Sequence, residues 1–85
     1  MDDELEIIFN ETAFKHGVTE ADIRWAFKTF KYDQLVEGEE NKYLLLGFNI
    51  QGNLIEVIYK EINDHRVNVF HAMPCRNVLF PLLGT

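Results

Sequence analysis

The stretch KYLLLGFNIQGNLIEVIYKEINDHRVNVFHAM, residues 42–73, decides the fold. It divides into three runs, 42–50, 54–61 and 66–73, each dense in leucine, β-branched and aromatic side chains and each of strand length. Gln51-Gly52-Asn53 separates the first two, and its glycine takes a positive φ at no steric cost. Asn63-Asp64-His65 separates the second and third. A parallel crossover needs a dozen residues or more, so links this short impose an antiparallel meander.

Within the meander the first run is apolar almost throughout, with Tyr43, Leu44, Leu45, Leu46, Phe48 and Ile50. A strand apolar on both faces is central, with helices on one side and another layer or a partner chain on the other. The other two runs alternate. Leu54, Glu56, Ile58 and Lys60 share one face of the second, and strict alternation in the third sets Val67, Val69, His71 and Met73 opposite Arg66, Asn68, Phe70 and Ala72. Upstream, residues 32–36 read as a short additional strand, with Glu37-Gly38-Glu39-Glu40-Asn41 as its acidic hairpin loop.

Residues 2–15 read as a first helix, because Leu5, Ile8, Phe9, Thr12 and Ala13 recur at helical spacing and Asp2, Asp3 and Glu4 complement the helix dipole. Gly17 stops it. Thr19 and Asp22 form a capping box that starts a second helix, whose apolar stripe is Ile23, Ala26, Phe27 and Phe30. Arg24, Lys28 and Lys31 form a basic ridge on its other side, flanked by Trp25, which packing against the sheet best accounts for. Pro74 is placed at the first position of a short C-terminal helix through Cys75, Arg76, Val78, Leu79 and Leu82, made irregular by Pro81. The expected architecture is α+β: two N-terminal helices on one face of a three- or four-stranded antiparallel meander, a short C-terminal helix, and one domain over residues 1–85.

Composition limits the function. Eighty-five residues bury roughly 60–65% of the unfolded surface, enough for one modest core and too little for a deep substrate cavity. With 47% hydrophobic residues the chain is an ordered globular domain, and one cysteine, Cys75, excludes an internal disulfide. No apolar run reaches the ~18 residues of a membrane span and the N-terminus is acidic, so the reading is a protein of the reducing cytoplasm with no membrane role. The net charge of −6 opposes non-specific nucleic-acid binding, although Lys15, Arg24, Lys28 and Lys31 cluster in sequence. The exposed apolar strand face expected of so small a cover implies a homodimer or a protein complex.

Lys15-His16-Gly17-Val18, then Thr19 and an amphipathic helix, resembles the opening of the BrnT family of type II toxin-antitoxin toxins. Tyr43 through Gly47, the turn Gly52-Asn53-Leu54 and the strand Val57-Ile58-Tyr59 are similar to successive family strands, and residues 66–72 to its last one, in the right order over about 14–76. The resemblance implies a RelE-like fold and a bacterial ribonuclease neutralised by a cognate antitoxin. Where the family's last strand commonly reads Ser-Ala-Arg, this chain has His71-Ala72-Met73, so an arginine credited with phosphate contact is absent.

Ribonuclease chemistry without a metal or other cofactor requires a base for the 2′-hydroxyl, a cation for the scissile phosphate and an acid for the leaving oxygen. His71, Glu56 and Arg76 are the candidate catalytic residues, and Lys15, His16, Arg24 and Lys28 the candidate RNA contacts. His71 reads equally well as a half-buried structural histidine, and His16 reads first as a helix cap. Three dispersed histidines give no metal-binding spacing. The alternative function is a non-catalytic protein-binding module on the same fold, which the acidic charge and Met73 favour.

Overall fold

Each short connection does what its length requires. In the computed structural model, which describes residues 4–84, β1 (Glu6–Phe9) leads into a 3-10 helix (Glu11–Phe14) and helix α1 (Glu20–Thr29). Strands β2 (Tyr32–Leu35), β3 (Lys42–Phe48), β4 (Leu54–Asn63) and β5 (Arg66–Pro74) follow, and a second 3-10 helix (Asn77–Leu83) completes the described chain. The strands form one sheet in the order β1-β5-β4-β3-β2, antiparallel from β2 through β5. The meander and the short strand before it are therefore as the sequence indicates.

The N-terminal segment is not. In place of a helix over 2–15, of which 2 and 3 lie outside the described residues, β1 pairs in parallel with β5, so the sheet has five strands and is mixed. Leu5, Ile7 and Phe9, spaced by two, pack against the core cluster. The bonds from Glu6 N to His65 O (2.7 Å) and from Asn10 N to Val69 O (2.8 Å) fix the register. Asn10 then caps the following 3-10 helix by accepting from Thr12 N. The helical spacing of Leu5, Ile8 and Phe9 coincides with a strand pattern rich in β-branched and aromatic residues, and pairing to β5 decides between them.

Helix α1 covers one face. Its capping box is complete, Thr19 Oγ1 accepting from Asp22 N and Asp22 Oδ2 accepting from Thr19 N, each at 3.1 Å. Asp22 Oδ1 also accepts from Ile50 N (3.1 Å), which ties the helix start to the β3–β4 turn. At the other end Thr29 Oγ1 donates to Trp25 O and accepts from Phe48 N. Ile23, Ala26 and Phe27 are buried against Leu45, Ile55, Val57, Tyr59, Val67, Val69 and Ala72. Burying each of the larger side chains contributes about 1.5–3 kcal/mol. Phe30 and Trp25, by contrast, are 41% and 43% exposed, so neither packs as the sequence suggests. The backbone of α1 lies so near β3 that a Cβ on Gly47 would sit 2.5 Å from the Ala26 carbonyl oxygen.

One irregularity assigns the side chains of β5 to their faces. Ile58 pairs with His71 but Tyr59 pairs with Val69, so Phe70 is an extra residue, a β-bulge. Val67, Val69 and Ala72 consequently all face α1, and His71 turns to the opposite face. The alternation that grouped His71 with the valines fails at that point. Pro74 is the last residue of β5 and does not open a helix; the 3-10 segment starts after Arg76.

Two stability measurements follow. Gly47→Ala must push α1 off the sheet and should lower stability by about 1–3 kcal/mol in urea unfolding. Thr19→Ala should cost about 1 kcal/mol. Asp22→Ala should cost more than Thr19→Ala, because it also releases Ile50 N.

Candidate functional site

Opposite α1, the sheet presents Leu44 and Leu46 on β3, Glu56 and Ile58 on β4, and His71 and Met73 on β5. Leu44, Ile58, His71 and Met73 remain partly exposed here, whereas their neighbours under α1 are buried. At the centre lies Glu56, a carboxylate with 0% exposure.

Its four hydrogen bonds come from two residues. Arg76 supplies its backbone N to Oε1 (3.1 Å), Nε to Oε1 (3.0 Å) and Nη2 to Oε2 (2.9 Å), a bidentate pair reinforced by the main chain. His71 Nε2 supplies the fourth, to Oε2 at 3.2 Å. Burial pushes the Glu56 carboxyl up, but the bonds from Arg76 and His71 outweigh it and hold the group below the ordinary carboxylate value. An ionised Glu56 can only accept. This assigns the hydrogen to Nε2 of His71 and leaves Nδ1 as the basic nitrogen of the neutral ring.

The local chain explains the arrangement. The bulge at Phe70 delivers His71 to this face, and Cys75 N bonding to Leu54 O (3.0 Å) extends the β5 pairing far enough to bring Arg76 over Glu56. After the first 3-10 helix, His16 meets His71 edge-on with ring centroids 5.7 Å apart. The helix-cap reading of His16 thus misses its main contact. Lys15 precedes it, exposed, at the C-cap of that 3-10 helix.

His71, Glu56, Arg76 and His16 are therefore brought together, with Lys15 beside them in the chain. Arg24 and Lys28 are not. They ride on α1 across the sheet, where Arg24 pairs with Glu20 (3.0 Å) and lies 5.3 Å over the Phe9 ring. Cys75 is no activated thiol, since burial and then the Glu56 charge push its pKa up. Among the described residues, no group of three or more His, Cys, Asp or Glu is placed to hold a metal ion, and no helix is long and apolar enough to cross a membrane. The backbone N–H of Arg76 escapes sequence reasoning, because only the turn after β5 aims it at Glu56.

A pH dependence follows from the lowered Glu56 pKa. The ionised, bonded carboxylate contributes stability in full above its ordinary value of 4.5, and that contribution is lost as pH falls through the lower folded value. Thermal unfolding of the wild-type protein should therefore weaken below about pH 4.5 more steeply than that of Glu56→Gln.

No family model matches the sequence, and no curated protein matches it. Among solved structures, the chain is similar to the Brucella abortus ribonuclease toxin BrnT, with a TM-score of 0.62 and 20% identity over 86% of this chain and 99% of that one. The five-stranded sheet, its parallel N-terminal strand and its helical cover thus make a BrnT-like α+β fold.

Proposed function

We propose that this chain is the toxin of a type II toxin-antitoxin pair, a metal-independent endoribonuclease neutralised by a cognate antitoxin protein. One observation carries the reading: on a fold shared with a ribonuclease toxin, His71, His16 and Arg76 gather on one sheet face around a buried carboxylate.

The chemistry is a transesterification. Nδ1 of His71 takes the proton of the ribose 2′-hydroxyl, and the 2′-oxygen attacks phosphorus. The bond from phosphorus to the 5′-oxygen breaks, and a protonated His16 supplies the leaving oxygen with its proton, giving a 2′,3′-cyclic phosphate and a 5′-hydroxyl. Arg76, with Nε and Nη2 on Glu56, retains Nη1 for a non-bridging phosphate oxygen, where its charge opposes the negative charge that builds up. Lys15 supplements it. Glu56 reaches no substrate and is a positioning residue that fixes the tautomer and orientation of His71.

The second reading, a non-catalytic protein-binding module, draws support from Met73 in place of the family arginine and from the partial neutralisation of Arg76 by Glu56. In that case the partly exposed face would receive only the antitoxin or a second copy.

Purified, antitoxin-free protein incubated with total RNA and a chelator tests the assignment. Wild type should cut RNA and leave cyclic phosphate ends. His71→Ala, verified as folded, should cut roughly 100-fold more slowly. A wild-type protein that cuts nothing, or a His71→Ala variant that cuts equally well, transfers the assignment to the binding module.

A further inference from the structure

Beyond His71 the same sheet face carries cations that the proposed chemistry does not use. Lys42 on β3 and Lys60 on β4 are register partners, so two ammonium groups leave neighbouring strands directly opposite each other. Like charges in that relation are destabilising. The arrangement is the more notable in a chain of net charge −6 with only eight Lys and Arg residues. Glu39 offsets it weakly, at 3.7 Å from Lys42 Nζ. Lys42 Nζ also lies 5.7 Å from the centre of the Phe70 ring, which the bulge places beside His71 on this face.

The positions form a line. Ile58 pairs with His71, and Lys60 stands two residues further along β4, roughly 7 Å away at 3.4 Å per residue. The face therefore runs from Arg76, through His71 and Phe70, to the lysine pair. Glu56 on this face and Glu39 beside Lys42 are each matched by a cation, Arg76 and Lys42, whereas Asp33 accepts from Tyr59 on the α1 side, Glu6 pairs with Arg66 at the β1 edge, and Glu20 pairs with Arg24 on α1.

We infer that this face is a track for single-stranded RNA, with one nucleobase stacked on Phe70 and the next phosphate held between Lys42 and Lys60. The inference rests on the ribonuclease reading for the fate of the strand, though not for its binding. A cation on a partly exposed ring such as Phe70 is held more weakly than a stacked base. An arriving base accordingly displaces Lys42 from Phe70 onto the adjoining phosphate. The phosphate then relieves the repulsion between the two lysines. A duplex buries its base faces and cannot stack on Phe70, so the track selects single strands.

The test uses the full chain and a fluorescein-labelled, single-stranded 2′-O-methyl oligoribonucleotide, which has no free 2′-hydroxyl and cannot be cut. Anisotropy titrations at several salt concentrations should show binding by wild type. Lys42→Ala and Lys60→Ala should each lower the salt-dependence slope by about 0.7. Phe70→Leu should weaken binding about 10-fold with the slope unchanged. The track is wrong if wild type does not bind, if the three variants bind like wild type, or if duplex competes as well as single strand. It is also wrong if Arg24→Ala and Lys28→Ala carry the loss, which would put the strand over α1. A wild-type dimer that Phe70→Asp dissociates would give the face to a second copy and likewise overturn it. Parallel cleavage assays keep the two readings apart. Cutting with unchanged KM in the lysine variants sinks the track alone, whereas track-dependent binding without cutting sinks the ribonuclease alone.

Discussion

A fully buried carboxylate must be satisfied or give up its charge, and Glu56 satisfies that demand with four hydrogen bonds. Three come from Arg76, which pins the chain after β5 to the middle of the sheet. The fourth comes from His71 and sets which ring nitrogen is basic. One desolvated group thus joins the path of the C-terminal segment to the chemistry of a neighbouring strand. Removing Arg76 would therefore disturb the histidine as well as the charge it visibly pairs with. This coupling is expected where buried polar groups share one hydrogen-bond network.

Sequence reasoning found the meander because two short links leave no other topology, and it found α1 because Thr19 and Asp22 announce its start. It missed β1 because residues 5–9 satisfy helical and strand periodicity at once, and what decides between them lies in β5. It selected His71, Glu56 and Arg76 on residue type and motif order, but set His71 on the face of Val67 and Val69. A single extra residue at Phe70 reverses the phase of β5, and alternation counted along one strand cannot register a bulge that exists only relative to its neighbour. Val67, Val69 and Ala72, all apolar and spaced by two and then three, carry a trace of that slip.

The two sides of the sheet are built for different ends. Under α1, Gly47 lets the helix backbone approach closely and the core residues are buried. On the other side, partly covered leucine, isoleucine and methionine surround a polar centre. The firm side keeps the strands in register, and that register, together with the hydrogen bonds on Glu56, holds the spacing of groups on the open side. Precision in the site is borrowed from packing on the far face.

The parallel pairing of β1 with β5 also bears on the order in which the molecule assembles. Glu6 meets Arg66 across a separation of 60 residues, so β1 has to wait for β5 before it finds its place. Until β5 has left the ribosome, residues 6–9 have no strand to pair with, and His16 has no His71 to approach. Contacts this distant are slow to close, because the loop entropy is lost before the contacts return anything. During synthesis the α1–β3–β4 portion can form early through local contacts, whereas the face that carries the histidines takes shape only once β5 has emerged.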